Sequence, residues 1–207
     1  MTTRRKRHHH KKEFDAAMGR SGISAKTLAA MKQVDRKRFV PQAVRSKAYN
    51  DHPLPLGEGA TISQPSLVGR MIDYLKLETI SMVLELGTGS GYNAEIISKL
   101  IPYGHLVTVE RLGKLAKKAA NTLRASNVTV IAADATKLEP EHPYDRIIVT
   151  AEFMTESQME HYVMKNAGIF CIAVYPLDGQ LWRLTKCGSH ISKEKLIGVR
   201  FIPVITD

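Results

Sequence analysis

The stretch Val83-Leu84-Glu85-Leu86-Gly87-Thr88-Gly89-Ser90-Gly91-Tyr92 ends an apolar strand in a carboxylate and then a glycine turn. Glycines at such a turn allow positive φ and let a ligand approach the backbone closely. The pattern is G-x-G-x-G, which differs from the G-x-G-x-x-G that brings a pyrophosphate to a helix N-terminus. Glu85, two residues before the first glycine, would repel a phosphate. It suits a cationic group, such as the amino group of a methionine moiety.

Two further acids close the next two strands. Glu110 follows the turn by about 20 residues, where an acidic side chain can take both ribose hydroxyls. Asp134 lies just past the third strand, within reach of an adenine amino group. Taken singly, the glycines could be a tight turn, Glu110 a solvated strand end and Asp134 a turn or helix cap. In an open α/β sheet, however, ligands lie at the carboxyl ends of the strands. The joint spacing specifies an adenosine ligand without phosphates, S-adenosylmethionine.

The elements that must hold these acids follow from hydrophobic periodicity. Helical spacing runs from Phe14 to about Gln33 with Ser24 as an N-cap, and again from Ser66 to Leu77. Between them, Phe39–Thr61 carries Pro41, Pro53, Pro55, Gly57 and Gly59 and reads as an ordered loop. Strands are expected at Met82–Leu86, Leu106–Glu110, Val128–Ala132, Arg146–Thr150, Ile169–Val174, Leu181–Lys186 and Leu196–Ile205. Helices are expected at Tyr92–Leu100, Leu112–Leu123 and Thr155–Val163, the last capped by Thr155. Short apolar strands alternating with helices predict an α/β fold, a mostly parallel doubly wound sheet covered on both faces. The final strands, with no helix between them, predict an antiparallel C-terminal edge.

With 207 residues, 43% of them hydrophobic, the chain can bury a core of its own. No apolar run approaches a membrane span, and no secretory signal is expected behind the charged N-terminus. The net charge is +10, of which Arg4, Arg5, Lys6, Arg7, Lys11 and Lys12 supply +6. Residues 1–13 therefore read as a basic disordered tail that could touch nucleic acid or an acidic partner, and 14–207 as one domain. Within it, 14–80 reads as a substrate or cap region and 81–207 as a cofactor-binding core. Cys171 reads as core and Cys187 as exposed, and two cysteines make neither a disulfide framework nor a four-ligand zinc site. A cytoplasmic location is expected.

Longer motifs give a family resemblance. Val34-Asp35-Arg36-Lys37-Arg38-Phe39-Val40-Pro41, Ala48-Tyr49-Asn50-Asp51, Leu54-Pro55-Leu56-Gly57 and Ala60-Thr61-Ile62-Ser63-Gln64-Pro65 resemble protein-L-isoaspartate O-methyltransferases. So do Leu84–Tyr92, Pro143–Ala151 and Gly198–Val204, and the resemblance spans about residues 20–207. Thr61–Pro65 is its specific part, since generic methyltransferases lack it. The resemblance implies a Rossmann-like class I methyltransferase, acting as a monomer without metal. It would repair damaged proteins by methylating the α-carboxylate of L-isoaspartyl residues, using S-adenosylmethionine and releasing S-adenosylhomocysteine.

The resemblance also implies roles. Ser63 would be the active-site serine, and Thr61, Ser63, Val174 and Tyr175 would contact substrate. Ala60, Thr61, Ile62 and Ser63 would line the cofactor. Gly87, Thr88, Gly89 and Gly91 of the turn, with Glu85, Glu110, Asp134 and Ala135, would bind it, with Gln180 nearby. The bland alternatives are that Ser63 only caps the helix starting near Ser66 and that Gln180 is an exposed turn residue.

The chain departs from the family where Ala133-Asp134-Ala135 replaces Gly-Asp-Gly. Glu152-Phe153-Met154 stands where small residues and a proline are preferred, and Ala173-Val174-Tyr175 replaces Pro-Val-Gly. These changes, with the basic tail, leave open a methyltransferase of the same fold directed at RNA or a specialised peptide. Aromatics of only 6% disfavour base stacking, which RNA methylation would call on.

Overall fold

The computed structural model describes residues 13–152 and 155–201. Residues 1–12 of the expected 1–13 tail and the altered positions 153–154 lie outside them, while Glu13, the last residue of that expected tail, is helical.

The expected helix over 14–33 divides in two. Residues 13–19 form α1, and Ala25–Gln33 form α2. The break falls at Gly22, whose φ is 73°. Ser24 caps α2 by accepting the Thr27 amide. Asp73 accepts from the amide and hydroxyl of Ser24, at 2.6 Å each, and so ties the cap to the next helix.

The expected loop over 39–61 is more regular than its prolines and glycines suggested. It follows a 3₁₀ turn at Arg36–Phe39 and holds a second at Gln42–Lys47, then the hairpin β1 (Leu54–Gly57) and β2 (Ala60–Ile62). Glu58 and Gly59 have φ of 53° and 75°, the positive values that a two-residue hairpin turn requires. Leu54, Leu56 and Ile62 point inward from it and are buried.

Helix α3 is Pro65–Tyr74, with Pro65 in its first turn. It stops short of Leu77 because Lys76 turns into a positive φ of 50°. Then come β3 (Met82–Leu86), α4 (Tyr92–Leu100), β4 (His105–Glu110), α5 (Gly113–Thr122) and β5 (Val128–Ala132). They are followed by β6 (Tyr144–Val149), α6 (Glu156–Asn166), β7 (Ala167–Leu177), β8 (Gln180–Cys187) and β9 (His190–Gly198). Thr155 caps α6, as expected.

The last strand departs from expectation, lying over 190–198 instead of 196–205. Residues 190–195 are exposed and, apart from Ile191, polar, so hydropathy gave no sign of them. They pair with β8 across a tight turn in which Gly188 has φ 59°, and residues 202–205 lie outside the described set.

The seven strands run in the order β5-β4-β3-β6-β7-β8-β9. The first five are parallel, and β8 and β9 add the antiparallel edge. The chain winds outward from β3 on one side and then from β6 on the other, so the crevice falls where the strand order reverses. Alternate residues bury opposite faces. Val83, Ile148, Val174 and Leu181 join the core beneath α1–α4, while Leu84, Ile147, Ala173 and Tyr175 join the core beneath α6. No helix among the described residues is long and apolar enough to cross a membrane.

Candidate functional site

A cavity of about 1210 Å³ opens at the carboxyl ends of β3, β4 and β5. The residues that line it come from the hairpin and α3, from the strand ends, and from the segment Ile197–Phe201.

The glycine turn is shaped by backbone contacts. The amides of Gly87 and Thr88 donate to the Val109 carbonyl at 2.9 and 3.3 Å. Thr150 Oγ1 donates to the carbonyls of Leu86 and Gly87 at 2.9 and 2.7 Å. A Cβ on Gly87 would fall 2.3 Å from that hydroxyl, and its φ is 94°, so this position requires glycine.

Glu85 is wholly buried at the floor of the turn. Its carboxylate accepts from Asn93 Nδ2 at 2.5 Å and from Thr108 Oγ1 at 2.6 Å. Because Thr108 donates to Glu85, Thr88 Oγ1 must donate to Thr108, 2.6 Å away. Burial pushes the Glu85 carboxyl up to about 7, against the pull of the Thr108 and Asn93 hydrogen bonds and with a small push from Glu110. Asn93 Oδ1 is buried without a hydrogen-bond partner and belongs to a residue of the cavity wall. A buried acceptor of this kind beside a carboxylate suits a cationic donor.

Glu110 accepts the amide of Gly89 at 2.8 Å and that of Leu112 at 3.0 Å, clasping the turn to the start of α5. Asp134 Oδ1 accepts the amide and hydroxyl of Thr136 at 3.0 and 2.7 Å. Burial raises the Asp134 carboxyl, but Thr136, Lys137 and Arg111 outweigh it and hold it below the usual range. Its Oδ2 is buried with no hydrogen bond, and the Lys137 ammonium is 3.8 Å away. The alanines that replace glycine at 133 and 135 do not take positive φ, so the backbone does not call for glycine there.

Ser63 follows β2 and lines the cavity together with Ala60, Thr61 and Ile62. The alternative in which Ser63 caps α3 is corrected. Gln64 occupies the cap position, and the Asp51 carboxylate accepts the Ser66 amide at 2.9 Å. The Ser63 carbonyl accepts from Arg36 Nη2 at 3.1 Å.

Thus Glu85, Gly87, Thr88, Gly89, Glu110, Asp134 and Ala135 meet Ala60, Thr61, Ile62 and Ser63 at one cavity. Gly91 is the N-cap of α4, with φ 82°, and is not among the lining residues. Val174 and Tyr175 are also elsewhere. They are 0% and 1% exposed, packed into the two cores on opposite faces of the sheet. Alternation along a central strand buries both, so neither reaches the cavity as the resemblance implied. Gln180 opens β8 opposite Leu177 and does not line the cavity either. Glu152, one of the departures, accepts the Gly179 amide at 2.9 Å, and the Gly179 carbonyl accepts from Val199.

The sequence reading missed Asn93, Thr108, Asp51 and Arg36. Thr108 had a signal, since it shares a strand face with Glu110 and pairs in register with Glu85. Arg36 had none. Among the described residues no cluster of His, Cys, Asp or Glu could hold a metal.

The arrangement offers a carboxylate and an amide oxygen for a cation, a second carboxylate at a strand end, a third with an open acceptor, and a serine at the edge. The family model for protein-L-isoaspartate(D-aspartate) O-methyltransferase matches residues 11–207. A protein-L-isoaspartate O-methyltransferase of Fervidobacterium nodosum is 42% identical over 191 residues, covering 88% of this chain and 95% of its own. One of Ignicoccus hospitalis is 40% identical over 193 residues, covering 89% and 92%. A Plasmodium falciparum structure described as a beta-aspartate methyltransferase in complex with S-adenosyl-L-homocysteine superposes with a TM-score of 0.80. It is 21% identical, covering 96% of this chain and 99% of its own, and at that identity the likeness concerns the fold. With nearly the whole chain matched, the protein belongs to the protein-L-isoaspartate(D-aspartate) O-methyltransferase family.

Proposed function

We propose that this chain transfers a methyl group from S-adenosylmethionine to the α-carboxylate of L-isoaspartyl residues in damaged proteins. The observation that carries the reading is the convergence of Glu85 with Asn93, of Glu110 and of Asp134 on one cavity beside Ser63. The orphaned oxygens of Asn93 and Asp134 fit a ligand that brings both a cation and an amine. When bound, the cofactor supplies an electrophilic sulfonium methyl.

In this reading Glu85 and Asn93 hold the amino group, Glu110 the ribose hydroxyls and Asp134 the adenine amine. A substrate carboxylate, with an ordinary pKa near 4, is already ionised at neutral pH. It needs no general base, and the cavity has only to desolvate and align it. The Ser63 hydroxyl, with Thr61 beside it, orients that carboxylate by donation without cancelling its charge as a lysine would. The backbone amide nitrogen that follows then attacks the methyl ester and expels methanol to close a succinimide, which water can reopen to normal aspartate. Both cysteines are free, which suits a reducing compartment.

The test uses methyl-labelled S-adenosylmethionine and matched peptides carrying L-isoaspartate or L-aspartate. Base-labile label in the isoaspartyl peptide alone, reduced in Ser63→Ala, supports the reading. Cofactor binding without transfer to that peptide overturns it.

A further inference from the structure

Every carboxylate that lines the cavity has a partner, although Asp134 Oδ2 keeps no hydrogen bond. Glu85 holds Thr108 and Asn93, Glu110 holds two amides, and Asp134 holds Thr136. Asp51 accepts Ser66 and Gln64, and Glu58 pairs with Lys114 at 3.3 Å. Two of the lining guanidiniums are not so engaged. Arg70 donates Nε to the Ser21 carbonyl at 3.1 Å and meets no carboxylate among the described residues. Arg200, exposed, pairs with none of them either.

These two arginines line the same cavity. Arg70 lies one turn after Ser66 on α3, the helix that begins two residues past Ser63. Ile197, Val199 and Phe201, which flank Arg200, pack against the same apolar cluster as Val68 and Met71 of α3. The cavity therefore keeps two cations without a carboxylate partner among the described residues, Arg70 on the helix that follows Ser63 and Arg200 on the C-terminal segment. A guanidinium with unfilled donors is a ready partner for a carboxylate.

We propose that Arg70 and Arg200 select substrates in which acidic side chains flank the isoaspartyl residue. The proposal rests on the isoaspartyl reading and adds to it a substrate class. The arginines act through binding and encounter, with the reacting carboxylate left to Ser63.

The test compares three isoaspartyl peptides, identical but for glutamate, glutamine or lysine at the flanking positions. Specificity is read as the ratio of kcat/KM values within each protein, so a general loss of activity cancels. The intact chain should prefer the glutamate peptide over the lysine peptide by about fivefold at low salt, the scale of one or two exposed ion pairs. The ratio should shrink as salt shortens the screening length. In the Arg70→Gln/Arg200→Gln double variant it should approach one, and in Arg200→Glu it should invert. The basic N-terminal residues could also attract acidic peptides, so a preference that survives the double variant overturns the proposal. Equal rates on all three peptides with the intact chain overturn it as well, while leaving the isoaspartyl reading standing. Methylation of none of them overturns both.

Discussion

Arg36 Nη2 donates to the Ser63 carbonyl at 3.1 Å, joining residues 27 positions apart. The same guanidinium donates to the carbonyls of Ala48, Asn50 and His52. It is 1% exposed, and burial lowers its pKa to about 10, so it stays charged at neutral pH. One cation thus ties the segment after the first 3₁₀ turn to the residue proposed to meet the substrate. The strap it holds also carries Asp51, which caps α3 on the other side of Ser63.

Arg36→Met should therefore cost stability and turnover together. It leaves buried carbonyls without donors, worth about 3 kcal/mol in total. Arg36→Lys should recover only part of that loss, because an ammonium lacks the planar fork that reaches several carbonyls at once. Urea unfolding and kcat on an isoaspartyl peptide provide the measurements. A methionine variant of unchanged stability would show that the brace contributes nothing.

Glu85 should make cofactor affinity depend on pH. Its carboxyl is raised to about 7 in the folded chain and must lose its proton to pair with an ammonium. Affinity for S-adenosylhomocysteine should climb as pH rises towards 7 and level off above it. Calorimetry in buffers of different ionisation enthalpy should detect proton release below that point, and Glu85→Gln should abolish it. Stability without cofactor should run the other way. A carboxyl whose folded pKa lies above its unfolded value of about 4.5 stabilises most below pH 4.5 and loses that contribution as pH rises through 7. Glu85→Gln should flatten this slope in an unfolding series from pH 5 to pH 8.5.

Gly87→Ala should weaken cofactor binding sharply, because its Cβ would lie 2.3 Å from Thr150 Oγ1. A non-glycine residue at φ 94° adds strain of about 1–3 kcal/mol. Pairing it with Thr150→Gly removes the clash but leaves the strain, so affinity should return only in part. Full recovery in the double variant would assign the whole defect to the contact with Thr150.

Asp134 Oδ2 is a buried acceptor awaiting a donor. The intact chain should therefore prefer S-adenosylhomocysteine to its 6-oxo analogue, in which an acceptor replaces the adenine amine, by about tenfold, the worth of a charged hydrogen bond. Asp134→Asn, which can turn its amide to donate, should narrow that ratio. Competition binding with the two ligands gives the answer, and an unchanged ratio would place the adenine elsewhere.

Much of this protein was determined locally by its sequence. The strands Met82–Leu86 and Val128–Ala132 and the helix Tyr92–Leu100 match their expected bounds, because short apolar runs and helical spacing encode their own burial. The acids Glu85, Glu110 and Asp134 were legible because strand ends in a parallel sheet meet at one rim. The tertiary structure decided the rest. Whether Val174 and Tyr175 face a ligand depends on which strands flank β7, and β6 and β8 enclose them. The mostly polar first part of β9 is a strand because β8 offers it a ladder, a pairing that hydropathy cannot register. Ser63 was free of the capping role because Asp51, from a segment twelve positions earlier, took the α3 amide. Arg36 was invisible as a brace because backbone carbonyls carry no sequence signature. Periodicity records how much of a side chain is buried, while the partner of a buried polar group is set only when distant segments close around it.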